Sequence, residues 1–260
     1  MATVGGDGRC CLWTLPKTSP APALVMECGA PVVCVCWTPD DRRLLAAADS
    51  ALLVFDPVTG DQIGAIRRWV GDGQYTDGAK GEKVVRCAHG RHRPLAATTS
   101  ANGAVSLWDS ETGRCLTRMF GHGEEGATSA PRGCHLTPDD RYLTTCDDGG
   151  GVRVWDINNQ SCVASWSAHA AGGATHCCFA PDGTWVATSS GDGTCRVWDP
   201  RSGRELSRLR NAANAGFSTC AFSPSGAVLA GGTFSTAEER LRSRGFNVAV
   251  LWDGDYGVDY

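Results

Sequence analysis

The chain has 260 residues, of which 42% are hydrophobic and 20% charged, and its formal net charge is −4. This composition supplies enough apolar side chains for a large core, and it excludes a global basic field that would attract nucleic acid or an anionic membrane. No run approaches the roughly 20 apolar residues of a membrane helix, and the N-terminal segment lacks the layout of a secretory signal, so we expect a cytoplasmic or nuclear protein.

The chain contains fourteen cysteines, which raises the question of disulfide bonds. Most of them lie inside strand-like runs such as Cys34-Val35-Cys36 and Cys177-Cys178-Phe179, without the framework of a short secreted chain. We therefore interpret them as reduced thiols that serve as small buried hydrophobic residues.

The dipeptide Trp-Asp recurs along the chain, each time at the end of a short β-like run. It occurs at Trp108-Asp109, Trp155-Asp156, Trp198-Asp199 and Trp252-Asp253, with weaker copies at Trp13-Thr14 and Phe55-Asp56. The aromatic members are roughly 40 to 55 residues apart, which indicates a repeat architecture with some lengthened copies.

Taken in chain order, the six copies differ in completeness. Met1 to Thr14 supplies only the equivalent of the last two strands of a unit, and the second unit keeps Asp49 but ends in Phe55. The third unit has Asn102 where Asp is expected. The fourth has His122, Asp148 and Trp155, with one extra glycine among Gly149, Gly150 and Gly151.

The fifth unit is complete and predicts four strands. They run from Cys162 to Trp166, Thr175 to Ala180, Trp185 to Ser190 and Thr194 to Trp198. The turns between them contain Pro181-Asp182-Gly183 and Gly191-Asp192-Gly193, whose residues tolerate the positive φ of tight hairpins. Such spacing of turns between Val, Leu and Thr runs is typical of antiparallel four-stranded blades.

These features resemble the WD-repeat (WD40) β-propeller family, and the resemblance covers nearly the whole chain. It implies one all-β propeller domain spanning residues 1–260, with units that end near residues 14, 56, 109, 156, 199 and 253. It also implies a structural hydrogen-bonded tetrad, for which the matching residues of the fifth unit are His169, Ser190, Asp192 and Trp198.

A propeller is a ring that normally closes by sharing one blade between the chain ends. The incomplete first unit leaves two alternatives open: an imperfectly closed six-bladed ring, or a piece of a seven-bladed one. The missing front half of that unit slightly favours the second.

Recognition is expected on one face of the propeller, where three long loops fall at Trp69 to Lys83, Gly123 to Pro131 and Thr233 to Phe246. The candidate partner-binding residues of the first and third loops are Trp69, Tyr75, Lys80 and Lys83, and Arg240, Arg242 and Arg244. A self-packed or solvated loop is the alternative for each. A further basic cluster, Arg86, His89, Arg91, His92 and Arg93, has no accompanying aromatic platform, so direct nucleic-acid contact is not expected.

Arg201 is the last candidate partner-binding residue. The stretch from Val186 to Arg201 ends in Trp-Asp-Pro-Arg and resembles the box of WD-repeat receptors of cullin-4 ubiquitin ligases, in which Arg201 would face the adaptor. An ordinary blade with a solvated Arg201 gives most of the same pattern.

No catalytic or cofactor site is expected. Cys134-His135 and His176-Cys177-Cys178 contain metal-ligand types, but adjacent strand residues point to opposite faces and cannot converge on one ion. The sequence therefore predicts a non-catalytic scaffold or adaptor subunit of an intracellular multiprotein complex that binds other proteins. The alternatives are a cullin-4 type substrate receptor and a WD-repeat subunit of a translation initiation or RNA-processing complex.

Overall fold

The computed structural model describes residues 1–14, 21–67, 69–70, 74–75, 83–122, 129–210, 215–233 and 249–253. Every regular element in these residues is a β-strand. Within the same residues there is no helix with the length and apolarity needed to cross a bilayer.

The described residues of the first half of the chain form thirteen strands. They are β1 (Ala2–Val4), β2 (Arg9–Leu12), β3 (Leu24–Glu27), β4 (Val32–Trp37), β5 (Leu44–Ala48), β6 (Ala51–Phe55), β7 (Gln62–Arg67), β8 (Trp69–Val70), β9 (Gln74–Tyr75), β10 (Val84–His89), β11 (Leu95–Ser100), β12 (Ala104–Asp109) and β13 (Cys115–Phe120).

Eleven strands are formed by the part of the second half that the structure describes. They are β14 (Pro131–Leu136), β15 (Tyr142–Asp147), β16 (Gly151–Asp156), β17 (Ser161–Ser167), β18 (Ala174–Phe179), β19 (Val186–Ser190), β20 (Thr194–Trp198), β21 (Glu205–Arg210), β22 (Phe217–Phe222), β23 (Val228–Thr233) and β24 (Ala249–Asp253).

Consecutive strands pair antiparallel into six sheets and one two-stranded ribbon among the described residues. The sheets, numbered I to VI in chain order, are β1–β3, β4–β7, β10–β13, β14–β17, β18–β21 and β22–β24, and the ribbon is β8–β9. The four-stranded sheets confirm the predicted all-β class of WD40 propeller blades.

Each sheet is offset by one strand from the sequence unit. β17, which opens the fifth sequence unit, pairs with β16 and is the outer strand of sheet IV. The reason is the short turn between them, where the Asp156 carboxylate accepts hydrogen bonds from the backbone N–H groups of Asn158 (2.9 Å) and Asn159 (3.0 Å). Such a turn makes a hairpin with the preceding strand, so the sequence unit straddles two sheets.

The chain divides by contact density into two units, Met1–Ala127 and Thr128–Tyr260. Within the first unit, the two faces of β5 pack in opposite directions. Leu44 and Ala46 join a core with Cys10 and Met26 of sheet I, whereas Leu45 and Ala47 join a core with Cys87 and Trp108 of sheet III. Because both faces are covered, β5 is buried along its whole length.

Sheet V plays the same part in the second unit. Its Cys177 and Phe179 pack with residues of sheet IV, and its Cys178 and Val197 pack with residues of sheet VI. All fourteen cysteines are free thiols, most of them buried or half-buried, and Cys162 is exposed. The single domain of residues 1–260 and its closure as six or seven blades stay predictions.

Candidate interaction surface

A buried chain of hydrogen bonds joins the Trp-Asp strand of sheet V to the loop before it. The Trp198 Nε1–H donates to Thr188 Oγ1 (2.9 Å), and that hydroxyl lies 2.9 Å from His169 Nε2. On its other side, His169 Nδ1 lies 3.0 Å from Asp192 Oδ2. The hydroxyl member of the predicted tetrad is therefore Thr188, and the assignment of Ser190 was wrong.

The register explains the correction. Trp198 pairs with Val186, so Thr188 is the first residue beyond that pair on the same face of β19. Ser190 lies one further step along, at the turn, where its Oγ accepts from the Asp192 backbone N–H (3.0 Å) and donates to the Ala171 carbonyl (3.4 Å). The Ser190 hydroxyl is thus committed to the turn.

The geometry fits a neutral His169. Nδ1–H donates to Asp192, and Nε2 accepts from the Thr188 hydroxyl, whose oxygen accepts from Trp198. Burial lowers the pKa of His169 and outweighs the opposing influence of the Asp192 carboxylate. Burial also tends to raise the pKa of Asp192, but hydrogen bonds from Thr194 and His169 prevail and lower that pKa to about 2.

The same Trp–Thr hydrogen bond recurs in other sheets. Tryptophan Nε1 groups donate to threonine hydroxyls ten residues earlier in three further cases: Trp13 to Thr3 (2.8 Å), Trp108 to Thr98 (2.8 Å) and Trp155 to Thr145 (2.9 Å). In sheet II, Phe55 replaces the tryptophan, and the register places Ala46 where the threonine would stand. The position that lacks the donor therefore also lacks the acceptor.

The extra glycine of the fourth unit serves close packing. Gly150 has a φ of 85° and accepts from the backbone N–H of Ala168 (2.8 Å) and of His169 (3.2 Å). A Cβ at this position would collide with the His169 carbonyl oxygen. The Asp148 carboxylate, predicted as this unit's turn aspartate, accepts from the Ala130 backbone N–H (2.9 Å) and pairs with Arg132 (3.4 Å).

Half of the eight predicted partner-binding residues lie outside the described residues, namely Lys80, Arg240, Arg242 and Arg244. Trp69 and Tyr75 pair with each other in the ribbon β8–β9. Lys83 is exposed, and its Nζ lies 3.8 Å from Asp49 Oδ1. Their roles in partner binding stay predictions.

Arg201 is the candidate residue that the structure places in a concave surface. It is exposed on the turn after β20, where its backbone N–H donates to the Asp199 carboxylate (2.9 Å). Two adjoining pockets, of about 620 and 360 Å³, share Arg201, Pro200, Gly183 and Tyr142. We call the two together the Arg201 groove.

The two pockets of the Arg201 groove differ in chemistry. The larger is lined mostly by polar and charged residues from turns of sheets IV and V, including Asp139, Asp182 and Asp199. The smaller is mainly apolar, and its lining includes Val154, Val163, Ala164 and Phe179. A groove with an apolar part, a polar part and an exposed arginine at their junction has the composition of a protein-binding surface.

The acidic groups of the groove hold its turns in place. The Ser202 hydroxyl donates to Asp199 (2.6 Å) and lowers the pKa of that carboxyl. In the same way the Thr137 hydroxyl donates to Asp139 (2.6 Å) and lowers its pKa. Arg141 covers the ring of Tyr142, with 5.1 Å between guanidinium and ring centroid. The cation at the junction of the two pockets is Arg201.

The apolar lining of the groove was not found from the sequence. Val163 and Phe179 both belong to the fifth sequence unit, but Val163 lies on β17 of sheet IV and Phe179 on β18 of sheet V, so the apolar wall spans two sheets. Their only signal in the sequence is ordinary strand alternation, which does not distinguish a groove wall from a core position.

The metal-ligand residue types are used in packing. His135 Nδ1 accepts from the Phe179 backbone N–H (3.2 Å), and His176 Nδ1 lies 3.9 Å from Cys220 Sγ. In the part of the chain that the structure describes, no three His, Cys, Asp or Glu side chains are grouped so that they could hold a metal ion.

Comparison with known families gives a match to "WD domain, G-beta repeat" at residues 24–56, 113–156 and 160–199. In these three regions the chain carries WD repeats. Proteins with these repeats generally act as interaction scaffolds, mediate protein–protein contacts and are typically non-catalytic.

The curated relatives are also WD-repeat proteins. The nuclear distribution protein PAC1 of Arthroderma benhamiae is 34% identical over 64 residues, which are 25% of this chain and 13% of that protein. The nuclear distribution protein nudF 2 of Penicillium rubens is 35% identical over 74 residues, 28% of this chain and 15% of that protein. The target of rapamycin complex subunit wat1 of Schizosaccharomyces pombe is 31% identical over 128 residues, 49% of this chain and 36% of that protein. The chain thus spans far less than two thirds of the length of each relative.

Proposed function

We propose that this protein is a non-catalytic scaffold or adaptor subunit of a multiprotein complex in the cytoplasm or nucleus, and that the Arg201 groove binds a partner protein. The observation that carries the proposal is the groove itself, in which the exposed Arg201 lines both a pocket of mostly nonpolar residues and a pocket of mostly polar and charged residues. One relative, wat1, is by name a subunit of a complex, which supports the same general role.

The groove suits binding by a preformed surface. Its walls are strands of sheets IV and V, and its rim consists of turns whose carboxylates are hydrogen-bonded to their own backbone. A surface held in this way loses little conformational entropy when a partner binds. The arginine can then form charge-assisted hydrogen bonds to a partner carboxylate, while the apolar pocket receives a nonpolar side chain.

The test is quantitative affinity purification of the tagged full chain with the substitution Arg201→Glu. Arg204→Glu is the matched control, because Arg204 is exposed on the same turn and lines neither pocket. We expect at least one partner to be recovered about tenfold less with Arg201→Glu, since a hot-spot arginine contributes about 2 kcal/mol or more. An identical set of partners for both variants would contradict the role of the groove.

A substrate receptor of a cullin-4 type ubiquitin ligase is the second candidate. The exposure of Arg201 in the groove favours it, because the resemblance gives this arginine to the adaptor. Arg201→Ala should then abolish co-purification of the cullin-4 adaptor, while Arg204→Ala leaves it intact. Unchanged recovery of that adaptor with Arg201→Ala would exclude the ligase role and leave the general scaffold role standing.

A further inference from the structure

The turn between the first two strands of sheet III differs in charge from the equivalent turns of other sheets. In sheets II, IV and V these turns are Pro39-Asp40-Asp41, Pro138-Asp139-Asp140 and Pro181-Asp182-Gly183. In sheet III the turn is Arg91-His92-Arg93-Pro94, all of it exposed. An acidic turn has been replaced by a basic one at the same place in the repeat.

Hydrogen bonds of the backbone and of His89 hold this basic turn. Gly90 N–H donates to the Leu95 carbonyl (2.7 Å), and the Ser110 N–H donates to the Pro94 carbonyl (2.8 Å). His89 adds a brace, since Nδ1 lies 2.7 Å from the Gly90 carbonyl oxygen and Nε2 lies 2.8 Å from Ser110 Oγ. These bonds do not depend on a guanidinium at position 91 or 93.

The basic turn forms one wall of a pocket of about 240 Å³ in the first unit. We call it the basic pocket; its lining is Thr38, Pro39, Asp40, Arg43, His89, Arg91, His92, Arg93, Pro94, Ser110 and Glu111. This lining contains three arginines and two carboxylates, those of Asp40 and Glu111. One of these, Asp40, already accepts from the Thr38 hydroxyl (2.6 Å) and from the Arg42 backbone N–H (3.1 Å).

The corresponding pocket of the second unit has the opposite balance. The larger pocket of the Arg201 groove is built from the same three kinds of turn, but it contains two arginines and three aspartates. The chain as a whole is acidic, with a net charge of −4. The excess of arginine in the basic pocket is therefore local, and it gives the pocket complementarity to an anion.

We propose that the basic pocket binds a phosphorylated segment of a partner protein, with Arg91 and Arg93 donating to the phosphate. The planar guanidinium matches two phosphate oxygens at once, and two such groups on one exposed turn suit a doubly charged phosphate better than a single carboxylate. The pocket is small, as a single side-chain phosphate requires. Phe, Tyr and Trp, the usual platforms for stacked RNA bases, are absent from its lining residues. The inference goes beyond the Arg201 groove, because it uses other residues in the other unit.

The experiment uses the purified full chain and a degenerate peptide library immobilised in two forms, with a central phosphoserine or with serine. The test variant is the double substitution Arg91→Glu and Arg93→Glu. The control is Arg114→Glu with Arg204→Glu, which makes the same change in net charge at two exposed turn arginines outside the basic pocket. Polyuridylate RNA is a third probe, and a thermal melt checks that both variants fold.

We expect the unmodified chain to be retained on the phosphoserine library well above the serine library, and millimolar inorganic phosphate to release it. The test variant should be retained about tenfold less or weaker still, because a charge-assisted hydrogen bond contributes at least that factor, while the control keeps its binding. Equal retention on both libraries, or equal loss in both variants, overturns the proposal. Preference for RNA, with steep weakening in salt, assigns the pocket to nucleic acid and also overturns it. None of these outcomes depends on Arg201, so failure here leaves the groove test unaffected.

Discussion

Replacing Thr188 by valine tests whether the buried hydrogen-bond chain stabilises sheet V. The Thr188 side chain is fully buried, and valine has nearly the same shape. The change removes the hydroxyl that accepts from Trp198 Nε1–H and donates to His169 Nε2. Both partner atoms then lie in the interior without their hydrogen bond.

The size of the effect follows from that count. A buried polar group left without its partner costs about 1 to 3 kcal/mol, so two such groups should lower the free energy of unfolding by about 3 kcal/mol or more. Thr98→Val is the matched control, because among the described residues the Thr98 hydroxyl is hydrogen-bonded only to the Trp108 Nε1–H, at 2.8 Å. Its expected cost is about 1 to 2 kcal/mol, roughly half that of Thr188→Val.

The measurement is equilibrium unfolding in urea, followed by tryptophan fluorescence and by circular dichroism. A double-mutant cycle with Trp198→Phe should show a coupling of about 1 to 2 kcal/mol between Thr188 and Trp198. The reasoning is refuted if Thr188→Val costs no more than Thr98→Val, or if the cycle shows no coupling.

Three further predictions concern residues of the second contact unit, Thr128–Tyr260. Folding lowers the pKa of His169, so just below pH 6.5 the unfolded chain binds more protons than the folded chain. The free energy of unfolding should therefore fall as the pH drops below that value. In a series of urea midpoints measured against pH, His169→Asn should flatten this fall. Gln160 has a φ of 53° at a turn position that is occupied in other sheets by Gly60, Gly113 and Gly203. Gln160→Gly should therefore raise the free energy of unfolding by about 1 kcal/mol. A loss of stability would show that the contacts of the Gln160 side chain outweigh the backbone strain. Gly150→Ala should be strongly destabilising or abolish folding, because the added Cβ would collide with the His169 carbonyl oxygen. Gly149→Ala is the control: its Cβ would contact only side-chain atoms and Gly149 has no positive φ, so a thermal melt should show that this change is tolerated.

The strands and turns of the repeat could be predicted from the sequence alone. The four strands predicted for the fifth unit agree with β17 to β20 within one or two residues, because hairpin turns such as Gly191-Asp192-Gly193 mark their ends. The sheets themselves were harder to assign. β17 lies in sequence between β16 of sheet IV and β18 of sheet V, and its own residues do not show with which of the two it pairs; the turn at Asp156 shows that it pairs with β16.

The candidate site was less accessible from sequence than the fold. Arg201 could be singled out because it follows Trp198-Asp199 at a fixed spacing, but the groove around it also needs Tyr142, Val163 and Phe179. The basic pocket likewise adds Arg43, from a turn almost fifty residues before Arg91. Both surfaces are made by turns of adjacent sheets, and the relative placement of such turns depends on the register of every strand between them.

The hydroxyl residue of the tetrad could be identified only from the strand register, because the sequence motif fits two residues. Thr188 and Ser190 lie on the same face of β19, and both residue types suit a motif that asks for serine or threonine. The pairing of Trp198 with Val186 decides between them, since the indole reaches the next residue on that face. The ten-residue interval between threonine and tryptophan then recurs in sheets I, III and IV. In sheet II the Phe55 side chain has no N–H to donate, and Ala46 occupies the position of the threonine. The joint loss is what buried hydrogen bonding requires, because a hydroxyl kept opposite phenylalanine would lack the donor that the other sheets supply.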